Sequence, residues 1–456
     1  MRAHAFALLG LAACATDPVP QPGDELPACA SDQLAKIVRL SRSFVPNGSV
    51  APEHYVTARN VADQDVLVDG PEIFPKMREL IAAARYEVDL QTYVWEPNTD
   101  PSNEILAGLR DLAARHTAGE PVHVRFLFDV STLNFGSTID ALPQTWATVT
   151  ALDLDPKVIQ FELAGFYHMT FGNEHAKTVV VDGREAVVTG ANPQAHHDYA
   201  EPWRDAGYHV SGDVAAALQD NFDDGWRRGQ LWTCGSATGT AAACSGAPTP
   251  IEHRFPAALG PADACVPMLV TDREADPTVG TNRLDSSQDQ AFLAAFGAAT
   301  DHIRIQSPNL NDDAAKQAVV EAVQRGVRVD VVLSKGFNDA TEALPGQGGD
   351  NDSNVTKLYD ALADLPDACQ RLRIRWYARD GVPVVGNGVY ASHAKYASLD
   401  DAIVIVGSAN MDTQSWNNAR EVNVVVDDAS TTQAWDRQLF LPDFDGGVTV
   451  DRCAGK

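Results

Sequence analysis

The sequence predicts an α/β protein made of two related halves, and three observations carry that prediction. Apolar runs of strand length alternate with segments of helical period, a short polar motif occurs twice, and the pattern of elements restarts after a small-residue linker. The motif reads His175-Ala176-Lys177, four residues, Asp182 in the first copy and His393-Ala394-Lys395, four residues, Asp400 in the second. Six residues later each copy enters a similar tail, Thr189-Gly190-Ala191-Asn192 and Gly407-Ser408-Ala409-Asn410. With nine lysines in 456 residues, a His-x-Lys-x4-Asp match arises by composition about 0.02 times per chain. Two copies in matching contexts mark a duplication.

The elements follow in order. Pro71 to Arg85 has helical spacing with Ile73, Met77, Leu80 and Ile81 on one face, and Val88 to Trp95 reads as a strand. Asn103 to His116 repeats the helical pattern through Ile105, Leu106, Leu109 and Leu112, and Val122 to Val130 is the next strand. Such alternation predicts a sheet covered on both faces. Residues 131–172 show no clear period; their Trp146, Phe161, Phe166, Tyr167 and Phe171 fit either a substrate wall or ordinary core packing. Lys177 to Val181 and Ala186 to Thr189 flank Asp182-Gly183, a tight hairpin. Val214, Leu218, Phe222 and Trp226 recur every fourth residue along a helix from Val214 to Arg228.

After the linker, 234–256, the pattern restarts. Gln290 to Ala299 is helical, His302 to Gln306 a strand, and Asp313 to Arg325 a helix stopped by Gly326. Val327 to Leu333 corresponds to Val122 to Phe128, and strands follow at Arg371 to Ala378, Lys395 to Leu399, Ala402 to Val406 and Glu421 to Val426. Between them, residues 335–356 read as a solvated loop. Asp350-x-Asp352-x-Asn354 imitates the start of a calcium loop, but Val355 stands where glycine is needed and Ala361 where glutamate is needed. The halves are therefore 51–233 and 257–456, with the duplicated elements ending near residue 430.

Composition narrows the function classes. A formal charge of −27 repels polyanions, so long nucleic acids are disfavoured against a ligand with a single phosphodiester. No apolar run reaches the roughly 18 residues that span a bilayer. The N-terminus instead carries Arg2, an apolar stretch and Leu11-Ala12-Ala13-Cys14, which resembles a bacterial lipobox. The expectation is a signal peptide over 1–13, lipidation at Cys14 and a tether within 14–50, with proline-rich sequence from Pro18 to Pro27. An ordinary secretory signal or an unstructured start is the alternative. Ala15 after the cysteine points to an outer membrane, facing the periplasm or cell surface. The other six cysteines, Cys29, Cys234, Cys244, Cys265, Cys369 and Cys453, are an even number suited to disulfides outside the cytosol; about 15 pairings are open, and Cys234 with Cys244, which bracket a small-residue loop, is the first to expect. None has the Cys-x2-Cys spacing of a zinc site.

The two motifs and their tails resemble those of the phospholipase D superfamily, His-x-Lys-x4-Asp-x6-Gly-Gly/Ser-x-Asn; the first copy departs in placing Thr189 where glycine is usual. Leu90-Gln91-Thr92-Tyr93-Val94, Trp203-Arg204-Asp205 and Gly407-Ser408-Ala409-Asn410 resemble the cardiolipin synthase-like, phosphatidyltransferase branch. The resemblance implies two pseudo-twofold-related units, each a mixed sheet flanked by helices, with one active site at their interface. It implies a phosphodiesterase or phosphatidyltransferase acting on glycerophospholipids without a cofactor, held at a membrane by its lipid and monomeric because both motifs lie in one chain. A nuclease or small-molecule phosphodiesterase of the same fold is the alternative, and a non-catalytic surface module a remoter one.

The chemistry explains the residue types. A metal-free attack on a phosphodiester uses one neutral imidazole as nucleophile and one protonated imidazole as acid, and histidine titrates in the range both tasks need. The resemblance assigns these tasks to His175 and His393, with the reverse order as the alternative. Lys177, Lys395, Asn192 and Asn410 would hold the phosphoryl oxygens, and two residues along a strand share one face, which explains the His-x-Lys spacing. Asp205 and Glu421 stand where the superfamily has a carboxylate that orients a catalytic imidazole. Asp182 and Asp400 read either as supports behind the motif or as hairpin residues. His196 and His197 follow the first tail and fit either a pocket wall or an exposed loop.

Overall fold

A computed structural model describes residues 26–453 except 117–118, 131–140, 169–170, 236–249, 256–259, 261–263 and 279–282. The leader, Cys14, Cys244 and all of the tether but Leu26 and Pro27 lie outside the described residues. In the first half β1 (Glu87–Thr92), β2 (Val122–Asp129) and β3 (Ile159–Phe166) are parallel, and β4 (Thr178–Val181), β5 (Glu185–Thr189) and β6 (Ala206–Gly212) continue antiparallel, in the order β3-β2-β1-β4-β5-β6. The second half opens with β7 (Met268–Arg273). Its β8 (His302–Ser307), β9 (Arg328–Leu333), β10 (Leu372–Trp376), β11 (Tyr396–Leu399), β12 (Ile403–Gly407) and β13 (Glu421–Asp427) repeat the layout as β10-β9-β8-β11-β12-β13, with β7 beyond β13. The duplication expected from the motifs is thus a duplication of sheet topology.

Helices join the parallel strands. Asp100–Arg115 connects β1 to β2; its start is fixed by a capping box between Thr99 and Ser102, and it buries Ile105, Leu106, Leu109 and Leu112. Asp313–Gln324 does the same between β8 and β9 behind its N-cap Asp312. The hairpin of β4 and β5 shows why period two matters here. Val179, Val181 and Val187 face the helix-covered core of the first half, while Val180, Ala186 and Val188 face a core continuous with the second half. Each strand therefore contributes to both the half and the interface.

Three stretches differ from the sequence reading. Residues 141–168 include a helix, Ala141–Thr150, and β3, and Trp146, Phe161 and Phe166 are buried core; the absence of a clean apolar period had hidden both elements. Residues 335–356 are not a solvated loop. They contain the short helix Asp339–Glu342 and the start of the helix Asn351–Ala361, where Asp350 is the N-cap accepting from Ser353 N, and Phe337, Asn351, Asn354 and Val355 are buried. Asp350 imitates a calcium ligand because N-caps and calcium loops favour the same side chain. The N-terminal segment also belongs elsewhere than its position suggests. The helix Asp32–Ser41 buries Leu34, Ile37 and Val38 in the core of the second half, and Val56–Thr57 pairs with β7. A disulfide between Cys29 and Cys265, 236 residues apart, and another between Cys369 and Cys453 pin the segment and the C-terminus.

Candidate active site

Both motif histidines lie where the chain approaches its sheet, and each is held by the other half. His175 N donates to Arg420 O at 2.9 Å, and His393 N donates to Arg204 O at 2.7 Å. Arg420 immediately precedes Glu421 and Arg204 immediately precedes Asp205, so each backbone bond brings the following carboxylate of one half to the imidazole of the other. His175 Nδ1 lies 2.7 Å from Glu421 Oε1, and His393 Nδ1 lies 2.8 Å from Asp205 Oδ2. The sequence marked all four residues without saying which acid serves which histidine; the structure crosses the pairs over the interface. A carboxylate partner sets the proton on Nδ1 and leaves the Nε2 lone pair free to react.

The lysines sit beneath the imidazoles. Lys177 Nζ donates to His175 O at 2.6 Å; Lys395 Nζ donates to His393 O and also lies 2.9 Å from His393 Nδ1. Both are buried, and loss of water pushes Lys177 down to about 7 and Lys395 to about 8. Burial also lowers His175, against the pull of Glu421. His393 falls well below the ordinary histidine value through burial and the neighbouring lysines. Burial opposes ionisation of Glu421, but His175, Lys177 and the Ser408 hydroxyl outweigh it and hold its carboxyl below the usual value. Asp205 is raised, burial being the largest cause.

The two tails are not equivalent. Asn192 Oδ1 accepts from Thr92 Oγ1 and Val94 N, which leaves its amide hydrogens for a ligand. Asn410, expected to match it, spends Nδ2 on Asp412 Oδ2 at 2.8 Å and leaves a buried Oδ1 without a hydrogen bond among the described residues. Thr189 is accommodated because its hydroxyl donates to Ala206 O at 2.7 Å and accepts from Ala191 N. Its counterpart Gly407 has no such freedom: a Cβ there would lie 2.4 Å from Val422 O. The adjacent pair is also asymmetric. Ser408 donates to Glu421, whereas a Cβ at Gly190 would meet Asp205 Oδ1 at 2.3 Å and Lys395 Cδ at 2.8 Å.

Asp182 and Asp400 are hairpin residues. Asp182 accepts from the backbone N–H groups of Arg85, Tyr86 and Glu87, and Asp400 from those of Thr300, Asp301 and His302. They fasten the turn to the neighbouring strand, and neither carboxylate is bonded to a motif histidine or lysine among the described residues. His196 is exposed and stacks on Trp203, with ring centroids 4.0 Å apart, whereas His197 is fully buried, its Nε2 3.9 Å from Asp205 Oδ2. Sequence reasoning passed over Glu174 and Arg420, a buried ion pair at 2.8 Å in which Arg420 Nη1 also reaches Gln91 Oε1. Glu174 in turn accepts from Ala176 N, inside the motif. The available signal was a charged residue directly before His175 and another directly before Glu421.

Residues 292–440 match the family described as cardiolipin synthase, PLD-like domain. The chain is similar to cardiolipin synthase A of Pseudomonas fluorescens strain SBW25, 26% identical over 389 residues covering 83% of this chain and 68% of the relative. It is 24% identical to cardiolipin synthase 1 of Bacillus anthracis, over 83% of this chain and 66% of the relative. The fold is similar to the crystal structure of a phosphatidylserine synthase from Haemophilus influenzae Rd KW20, with a TM-score of 0.60, 14% identity and 92% of each chain covered.

Proposed function

We propose, from the premise that this chain is a cardiolipin synthase-like member of the phospholipase D superfamily, that it transfers the phosphatidyl group of a glycerophospholipid through a phosphohistidine. The observation that carries the proposal is the crossed pairing of His175 with Glu421 and His393 with Asp205 around two buried lysines. In the first step His175 Nε2 attacks phosphorus, the bond from phosphorus to the headgroup oxygen breaks, and His393 gives its proton to the departing oxygen. In the second, the acceptor hydroxyl gives its proton to His393 and its oxygen attacks phosphorus, releasing His175. Lys177, Lys395 and the Asn192 amide hold the non-bridging oxygens, where charge grows in the transition state. A bound phosphodiester anion offsets the lysine charges that depress His393 and so favours its protonated form.

A polar cavity of about 380 Å³ lined by Asp69, Ala200, Pro202, Arg204, Tyr377, Arg379 and Tyr390 supports an alcohol acceptor. Arg204 is paired there with Asp443 at 2.9 Å and Arg379 stacks on Tyr390, so the lining offers polar groups for a hydroxyl and a cation for an acceptor that carries its own phosphate. The membrane reading rests on Cys14 and the lipobox, and the two disulfides support an oxidising compartment. Among the described residues no helix is long and apolar enough to cross a membrane. The complete pair of motifs supports a monomer.

Mass spectrometry of lipids after incubation with phosphatidylglycerol and phosphatidylethanolamine vesicles tests the function. Cardiolipin or phosphatidic acid that disappears with His175→Ala is the expected result. No lipid turnover, with cleavage of single-stranded DNA instead, would overturn it.

A further inference from the structure

We propose that His197, Asp205 and His393 form a binding site for a divalent transition metal, zinc being the probe, and that an ion there switches the catalytic centre off. The switching, though not the metal binding, rests on the function proposed above. One nitrogen of each ring and one carboxylate oxygen all lie within 4.8 Å of one another, and all three side chains are buried. His197 supplies the second observation. It is fully buried, yet among the described residues neither Nδ1 nor Nε2 has a hydrogen-bond partner. Leaving a buried polar group unsatisfied is costly, and such a group calls for a ligand or an ion.

The position of that ring is set by structure nearby. A turn at Ala195–His197, closed by His197 N donating to Gln194 O at 2.9 Å, carries the chain from the Asn192 tail toward Trp203-Arg204-Asp205. Phe74 and Trp203 pack on the ring, and His393 lies 6.2 Å away centroid to centroid. His197 Nε2 is 3.9 Å from Asp205 Oδ2, and that same oxygen is 2.8 Å from His393 Nδ1. Ligand atoms around a tetrahedral zinc bonded at about 2.0–2.2 Å lie about 3.3–3.5 Å apart, so small rotations of two rings close the site. Two imidazoles and one carboxylate suit zinc, with a fourth position left for water or substrate oxygen.

Inhibition follows from proton bookkeeping. Coordination at His393 Nδ1 requires the other tautomer, so the single proton of the neutral ring, now on Nδ1 against Asp205, is given up there and one is taken from solvent at Nε2. Nε2 then has no lone pair, and His393 cannot accept a proton from the acceptor hydroxyl. Asp205, held by the metal, no longer sets the tautomer.

The test uses the full chain, stripped of metal and free of lipid substrate, so its outcome is independent of the lipid activity. Zinc is titrated against a chromophoric chelator, and X-ray absorption then reads the coordination shell. One zinc per chain, a shell containing two imidazoles, and at least tenfold weaker binding in His197→Gln are expected. Binding unchanged in His197→Gln, a shell with fewer than two imidazoles, or no zinc retained at micromolar concentration would overturn the proposal. The wild-type absorption spectrum decides the matter even if the variant fails to fold.

Discussion

Glu421 reaches His175 from the opposite half, and its task is to hold one tautomer, which Gln can fill sterically but not electrostatically. Glu421→Gln is therefore expected to lower kcat about 10²–10⁴-fold with KM changed only a few-fold, as steady-state kinetics would show. The lysines set the pH range. Lys177 and Lys395 bind phosphoryl oxygens only as ammonium groups, and burial brings them to about 7 and about 8. Because a depressed lysine loses its charge as pH rises, kcat/KM should fall on the basic side with an apparent pKa of about 7–8, while kcat, read in the anion-bound complex, should hold to higher pH. A basic limb near the ordinary lysine value would contradict this. The same burial costs stability: Lys177→Met should abolish activity yet stabilise the fold by about 1–3 kcal/mol near neutral pH, a gain that shrinks as pH rises from about 7 toward the ordinary lysine value. At this scale the sequence was most legible, since a rare residue pattern repeated at fixed spacing named both histidines and both lysines, while Asp205 and Glu421 came from the resemblance to the phospholipase D superfamily. Asp182 was less so, because an aspartate in a hairpin and one behind a catalytic strand look alike in one dimension.

The element that ties site to fold is the segment entering β13. Arg420 and Glu421 are consecutive residues, one buried against Glu174 and Gln91 and the other bonded to His175. Arg420→Ala leaves Glu174 as an unpaired buried carboxylate and should destabilise the protein by about 3–5 kcal/mol in a denaturant titration. Strands and helices with a clean period were legible: Asp100–Arg115 and β2 lie within a few residues of their expected bounds. Ala141–Thr150 and β3 were not: the buried face of the helix includes Thr145 while Pro143 and Ala147 lie exposed, which blurs its apolar period, and the second half of β3 is buried on both faces. The helix beginning at Asn351 was masked by loop-forming residues that instead cap and pin it: Asp350 is its N-cap, and Asn351 Oδ1 accepts from Leu310 N.

The whole molecule is one site divided between two sheets of the same strand order, and its halves are interlocked. Residues before the first half complete the core of the second, an arrangement sealed by Cys29 and Cys265. A crossing of this kind leaves no local pattern, so the sequence could not reveal it. Closing a loop of 236 residues limits the unfolded chain strongly, and Cys29→Ser together with Cys265→Ser should lower stability by about 2–5 kcal/mol in calorimetry.

The central claim, a covalent intermediate on His175 with His393 as its proton partner, is tested most directly with a phosphatidyl ester of p-nitrophenol, whose leaving group departs without an acid. The His393→Asn variant should release one equivalent of nitrophenolate per chain in a burst and then stall, with the phosphatidyl mass found on the peptide containing His175. A variant that turns over without a burst, or carries the phosphatidyl group anywhere but His175, would contradict the account.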